Sequence, residues 1–211
     1  MLMFKVLKMS ILSVSTLVLL VISIGFLIWI LFPKFLETPA YNVELSDSAF
    51  QLRSYESFIT TRVGMSGNQN QALRKGFRPL VRFIGAKERS SEKISMTVPV
   101  MQEKTSLVDN WIVSFPMPSK YTLANLPKPT NNQLKQKLVS QKLMAVIKFN
   151  GRTTNELLDR KEIELRKWIT TQNLLIIGHV HYYFYNDPTT PGIFRRNEIL
   201  LEVSKTKNDN S

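Results

Sequence analysis

Residues 93–100 read KISMTVPV, and this stretch alternates apolar with small polar side chains. Ile94, Met96 and Val98 recur at every second position, a period typical of a β-strand with one apolar face. Pro99 cannot donate a hydrogen bond to a neighbouring strand, so it is expected at an edge or a bulge. We therefore predict a strand here, in which Met96 faces the core beside Ile94 and Val98.

This stretch belongs to the first of two similar halves of the chain. Each half is predicted to be a strand–helix–strand–strand repeat, in which the helix is amphipathic. The first half has strand-forming residues at 50–65, a helix at 72–85 and strands at 93–102 and 111–118. The second has strand-forming residues at 134–151, a helix at 155–172 and strands at 175–187 and 197–203. The pattern predicts an internal duplication and an α+β fold, with two helices on a mostly antiparallel, curled sheet.

Composition restricts the chemistry that the 211-residue chain can carry. There is no cysteine, which excludes disulfides, thiolate metal sites, cysteine nucleophiles and iron–sulfur clusters. The formal net charge is +12, and residues 1–39 contribute +2 of it, which leaves +12 − 2 = +10 for the remainder. Such a charge favours anionic partners. Nucleic acid is not expected among them, because no RNA-binding motif, zinc-finger spacing or base-reading basic helix is present.

The most apolar segment lies near the N-terminus. No charged residue occurs from Met9 to Phe32, and these 24 residues would extend about 36 Å as a helix, enough to cross a hydrocarbon core of about 30 Å. We predict an uncleaved membrane anchor, in preference to a buried core helix or a cleaved signal peptide. Lys5 and Lys8 favour a cytoplasmic N-terminus and an exported domain, periplasmic or otherwise extracytoplasmic. The expected organisation is a short basic N-terminus (1–8), an anchor (9–32), a linker with a lead-in strand (33–48), a folded domain (49–204) and a disordered tail (205–211).

Several segments, in order, resemble the SOUL family of haem-binding proteins. These segments are GFRPLVRFIG, EKISMTVPVM, WIVSFPMPSKYTLANLPKP, FNG and FRRNEILLEV, and the resemblance runs through essentially all of residues 40–204. It implies a distorted antiparallel β-barrel of two pseudo-symmetric halves with two helices, in agreement with the repeat described above. It also implies reversible binding of haem or another tetrapyrrole, largely through a hydrophobic surface patch.

In this family the first helix and the loop before the last strand are associated with the ligand. The haem-binding residues that the resemblance implies here are Arg74, Phe77, Arg78, Leu80, Val81 and Ile84 on the helix, and Tyr185, Phe194, Arg195 and Arg196 in the loop. Apolar side chains would contact the macrocycle and arginines its propionates. Two plainer alternatives remain open: the helix packs its apolar face into the core, and Arg195 forms an ion pair with Glu198 or Glu202.

An axial ligand for haem iron is not evident in the sequence. His179 and His181, the only two histidines, would share one face of a strand, and no third ligand of matching spacing accompanies them. They and Met96 are therefore weak metal candidates, and ordinary packing explains them better. We expect reversible haem binding without a histidine axial ligand, in which the iron is either unligated by the protein or bound by a Met or Tyr side chain.

The predicted function is that of a membrane-anchored haem carrier, buffer or sensor. An enzyme is not expected, because phosphate-binding glycine loops, nucleophile elbows and metal-binding helices are missing from the sequence. Two alternatives stay open. The first is a protein or lipid interaction module. The second is an effector-binding or hydrolase-like barrel for another planar apolar ligand.

Overall fold

The computed structural model describes residues 2–87 and 92–206, with side chains from residue 13 onward except residue 30. The chain divides into two compact units, residues 1–36 and residues 37–211. The last five residues of the predicted tail, from 207 on, lie outside the described residues.

The first unit consists of helix α1 (Leu2–Leu31) and a short 3₁₀ turn (Phe32–Phe35). Its predicted anchor begins in a part of α1 whose side chains are not described. Across the described residues, no helix combines the length and the apolarity that a membrane crossing requires.

The second unit contains nine strands and two helices. They are β1 (Tyr41–Asp47), β2 (Phe50–Tyr55), β3 (Phe58–Ser66), α2 (Gln69–Ile84), β4 (Val100–Lys104), β5 (Asn110–Pro116), β6 (Lys135–Val139), β7 (Lys142–Phe149), α3 (Asn155–Thr171), β8 (Leu174–Phe184) and β9 (Asn197–Lys205). β1 lies where a lead-in strand was expected. The strand predicted from residue 93 begins only at Val100, because the residues before it join no sheet ladder apart from one bridge between Thr97 and Glu37.

All nine strands form one antiparallel sheet in the order β1-β2-β7-β9-β8-β4-β5-β3-β6. Apart from β1, each half of the chain supplies two strands, a helix and two more strands, so two strands precede each helix where the prediction had one. The order from β2 to β6 is symmetric about the β8–β4 pair. The halves exchange their outermost strands, because β2 pairs with β7 of the second half and β6 pairs with β3 of the first. The topology thus has the pseudo-symmetry that a duplication predicts.

The predicted barrel is corrected to an open, curled sheet. The described edges of the sheet are β1 and β6, and no ladder between them closes the barrel. The sheet is nevertheless strongly curved, since only Ser140 and Gln141 connect the edge strand β6 to β7, which lies six positions away in the strand order. One face of the sheet is therefore concave and partly covered by its own edge.

Both helices pack on the opposite, convex face, where they bury two hydrophobic clusters. α2 packs against β3 and β5, and its cluster includes Ile59, Val113 and Phe115. α3 packs against β7, β8 and β9, and the ring of its Trp168 stacks on Phe50 at a centroid distance of 5.4 Å. Because strand side chains alternate between faces, the intervening residues point into the concave side.

Candidate ligand-binding surfaces

The outer surface of α2 combines an exposed aromatic ring with cations. Phe77 is 40% exposed, and its ring meets the buried Phe115 edge-on at 5.4 Å between centroids. Arg74 and Arg78 are exposed and Val81 is half-buried, and helical spacing places these three around Phe77. Among the described residues, neither guanidinium has an ion-pair partner. We refer to Arg74, Phe77, Arg78 and Val81 as the α2 patch.

Two further helix residues that were predicted to bind haem lie in the core instead. Leu80 is fully buried and Ile84 is 6% exposed, both within the cluster between α2 and the sheet. The helix sits close to β5, since a Cβ added to Gly76 would lie 2.7 Å from the Val113 side chain. A ligand on the outer surface cannot reach Leu80 or Ile84, so the core alternative is correct for these two residues.

Residues 93–99 leave the end of α2 and run past β5. The Ile94 N–H donates to the Ile84 carbonyl at 2.9 Å, and the Thr97 hydroxyl donates to the Pro116 carbonyl at 2.6 Å. Met96 between them is 53% exposed, so the expectation that it faces the core is wrong. No ladder holds the segment in strict alternation, and Met96 turns outward at the C-terminal end of α2.

The loop of residues 185–196 forms a separate surface. It packs on the turn before α3, where the Gly151 N–H donates to the Gly192 carbonyl at 3.0 Å and the Asn150 amide donates to the Ile193 carbonyl at 2.8 Å. Phe194 is 44% exposed there. The loop thus lies beside the start of α3, whereas the α2 patch lies above the strands of the first half.

The arginines and the tyrosine of this loop are engaged within the protein. The Arg195 guanidinium donates to the backbone carbonyls of Thr190 and Pro188. The Arg196 guanidinium donates to Glu198 at 2.7 Å and lies over the Tyr185 ring at 3.9 Å. The ion pair that was expected for Arg195 is therefore made by Arg196.

A buried ion pair lies on the concave face, below this loop. Arg53 donates from both terminal nitrogens to the two oxygens of Glu198, at 2.9 and 3.0 Å, and neither side chain is exposed to solvent. The hydroxyl of Tyr185 donates to the same carboxylate at 2.8 Å, and Arg53 also donates to the Tyr55 hydroxyl at 3.0 Å. Every polar group here has a partner, as burial requires.

The charges of this network depend on one another. Burial alone would raise the pKa of Glu198, but hydrogen bonds and the positive charge of Arg53, with that of Arg196, hold its pKa below the usual value. Burial and the neighbouring Glu198 carboxylate raise the pKa of Tyr185 well above its ordinary value. Glu198 is therefore ionised and Tyr185 protonated at neutral pH.

A cavity of about 260 Å³ opens on the concave face next to this network. Its floor comes from one row of paired residues that crosses four strands: Tyr183 pairs with Met101, Met101 with Ser114, and Ser114 with Arg62. Its roof includes the β6–β7 connection at Ser140 and Gln141. No local pattern in the sequence indicates this cavity.

The two histidines differ in their surroundings. His181 lines the cavity, and burial, with Lys142 and His179 nearby, lowers its pKa to about 3, so the ring is neutral. His179 is exposed, and it lies next to a register shift between Ile176 and Val180. Within the described residues, no group of three or more acidic or histidine side chains could hold a metal ion.

Comparison with family models matches residues 36–202 to the model described as SOUL heme-binding protein. The chain belongs to this family. Among curated proteins, no match was found. Membership supports a domain that binds haem or a related tetrapyrrole.

Solved structures similar to this SOUL domain share its fold at low sequence identity. The C-terminal domain of EcmrR aligns with a TM-score of 0.58 and 11% identity, over 79% of this chain and 99% of that one. A hydrolase from Listeria innocua aligns with a TM-score of 0.53 and 10% identity, over 76% of this chain and 94% of that one. At such identities the likeness shows the fold alone.

Of the residues that the resemblance to the SOUL family implied, Tyr185 and Arg196 contact the buried Glu198, but the cavity on the concave face was not among the predictions. Glu198 was considered only as an ion-pair partner of an exposed arginine, and Arg53 was not singled out. The sequence does contain a local signal for one side of the concave face, since His181, Tyr183 and Tyr185 occupy alternate positions. Their partners lie on strands far away in sequence, and only the pairing of those strands identifies them.

Proposed function

We propose that this SOUL domain binds haem or a related tetrapyrrole reversibly at the α2 patch, as a carrier, buffer or sensor and not as an enzyme. The observation that carries the proposal is an exposed aromatic ring flanked by two arginines that have no ion-pair partner in the described part of the chain, which belongs to a haem-binding family. An amphipathic macrocycle with two carboxylates needs an apolar face and cations, and the patch offers both.

Each residue of the patch has a distinct role in the proposal. Phe77 and Val81 would contact the macrocycle, and Arg74 and Arg78 would pair with the propionates. Neither histidine lies near α2, which supports binding without a histidine axial ligand. The exposed Met96 thioether, on the segment that follows α2, is the axial ligand that this proposal allows, although thioether ligation is not required for reversible binding.

Haemin titration of the full-length chain in detergent, followed by the Soret band, tests this proposal. The double variant Arg74→Glu and Arg78→Glu should bind haemin about 10-fold more weakly, since two partly exposed ion pairs contribute up to about 1 kcal/mol each and become repulsive. The matched control is Arg160→Glu with Lys167→Glu on the exposed side of α3, which changes the net charge equally and should leave the affinity unchanged.

Two results would contradict the proposal. Equal weakening by both double variants would mean that the effect comes from overall charge and not from the α2 patch. Unchanged affinity in the α2 double variant, with loss of binding on Phe194→Asp, would move the site to the loop of residues 185–196.

We also propose that residues 9–32 anchor the domain to a membrane, with a cytoplasmic N-terminus and an exported domain. The support is in the sequence, where no charge interrupts this segment and Lys5 and Lys8 precede it. The protein should resist extraction from membranes by alkaline carbonate, and external protease should digest the domain in intact cells. Release by carbonate would refute the anchor, and protection from protease would refute the orientation.

A further inference from the structure

We propose that the cavity on the concave face is a second ligand site, which takes a small aromatic carboxylic acid. It lies on the opposite side of the sheet from α2, and it does not depend on haem binding at the α2 patch. No part of the haem proposal uses its residues.

The size of the cavity sets the class of ligand. Sites for drug-sized molecules and cofactors typically measure about 300–1,000 Å³, and this cavity of about 260 Å³ falls just below that range. It has room for about nine waters at roughly 30 Å³ each. A four-ring macrocycle does not fit such a volume, whereas a single aromatic ring with small substituents does.

The curvature of the sheet brings the two ends of the floor toward each other. Arg62 and Tyr183 stand at the ends of the row, three strand spacings or roughly 14 Å apart along the sheet. Both side chains are long and line the same cavity, above Met101 and Ser114 in the middle of the row. A carboxylate held above Met101 and Ser114 would thus lie between the Arg62 guanidinium and the Tyr183 hydroxyl.

The polar groups in the floor are donors that lack acceptors. Arg62 has no ion-pair or hydrogen-bond partner for its side chain among the described residues, and the Tyr183 hydroxyl likewise forms no hydrogen bond there. Burial, together with Tyr55 and Glu198, raises the pKa of Tyr183 well above its ordinary value, so that it stays an O–H donor. A carboxylate supplies the acceptors that these groups lack.

The carboxylates in the wall refine this choice. Glu202 is already neutralised by Lys142, whose Nζ lies 3.0 Å from its Oε2. Glu103 has no ion-pair partner among the described residues and is paired across the strands with the neutral His181. Glu103 therefore favours a ligand with a hydrogen-bond donor, such as an amino group, in addition to its carboxylate.

The probe is 4-aminobenzoate, added to the full-length chain in detergent micelles with ¹³C-methyl-labelled methionine. The Met101 methyl group in the cavity floor is the reporter, and the Met96 methyl group at the end of α2 is the internal reference. We expect saturable shifts of the Met101 resonance at millimolar or lower probe concentration and no shift of Met96. The neutral 4-aminobenzamide and the cationic benzylamine should bind at least 10-fold more weakly.

Two variants assign the contacts. Arg62→Gln should weaken 4-aminobenzoate binding at least 10-fold, and Tyr183→Phe, which keeps the ring and removes the donor, should weaken it about threefold or more. Arg160→Gln on the exposed side of α3 is the matched control and should leave the affinity unchanged. Should Arg62→Gln fail to fold, Tyr183→Phe and the comparison of acid with amide still decide the question.

The proposal fails if Met101 does not respond to 4-aminobenzoate, if the amide or the amine binds as tightly as the acid, or if both Arg62→Gln and Tyr183→Phe bind normally. Addition of haemin to the same labelled protein tests the haem proposal separately from the cavity proposal. Paramagnetic haem at the α2 patch should broaden Met96 before Met101, whatever happens in the cavity.

Discussion

Replacing Glu198 by glutamine should destabilise the fold strongly, because it leaves a buried arginine without its counter-charge. Glu198 accepts two hydrogen bonds from Arg53, one from Tyr185 and two from Arg196. Glutamine keeps the shape and can still accept from Tyr185. It cannot neutralise Arg53, whose side chain is completely shielded from solvent.

The size of the effect follows from the burial of the pair. Removing one partner of a buried ion pair typically costs about 3–5 kcal/mol, because the remaining charge is desolvated and unpaired. Arg196 adds little, since its side chain is 45% exposed and can return to water. For a domain of this size, about 3–5 kcal/mol corresponds to a fall in Tm of roughly 6–20 °C.

Thermal unfolding of the full-length chain, followed by tryptophan fluorescence, measures this change. Arg53→Met combined with Glu198→Gln removes both charges, and this double variant should melt above Glu198→Gln alone. The control is Glu202→Gln, which breaks a partly exposed pair with Lys142 and should cost no more than about 1 kcal/mol.

The reasoning is refuted if Glu198→Gln melts within about 2 °C of the wild type. It is also refuted if the double variant melts below the single variant. Either result would mean that water or a rearranged neighbour satisfies Arg53 without Glu198.

Two further predictions concern the acid range and the packing of α2. The pKa of Glu198 is lower in the folded chain than its unfolded value near 4.5, so the ionised carboxylate stabilises the fold at pH values above 4.5. This stabilisation is lost as the pH falls through the folded pKa. Tm of the wild type should therefore drop more steeply below about pH 4.5 than Tm of Glu198→Gln, and parallel curves would contradict the assignment. Gly76→Ala should lower the free energy of unfolding, measured by chemical denaturation, by about 1–3 kcal/mol, because the new Cβ would clash with Val113. The control is Gly64→Ala, whose new Cβ would enter open space. Equal effects of the two substitutions would contradict the tight packing of α2 on β5.

Local patterns in the sequence predicted the elements of the fold well. The amphipathic periods of α2 and α3 marked both helices to within a few residues of their observed ends. The similarity between the halves predicted that two strands follow each helix, although two strands and not one precede it. Family motifs added the ligand class, because such motifs identify a fold and its relatives.

Local patterns misled where no ladder constrains the chain. KISMTVPV alternates as a strand would, but only Val100 belongs to β4, and the Met96 side chain points outward. Nothing within eight residues shows whether a second strand lies alongside to hold the alternation. The prediction of a closed barrel was wrong for a related reason. Closure depends on whether β1 and β6 pair, and the sequence of neither strand contains that information.

The sequence by itself determined the fold class, the repeat, the family and the exposed basic face of α2, because each of these depends on residues close together in the chain. Tertiary structure alone decided that Arg53 meets Glu198, 145 positions later, and that Arg62 and Tyr183 line one cavity. The physical reason is strand register: pairing between distant strands chooses which side chains share the concave face, and no local propensity specifies that pairing.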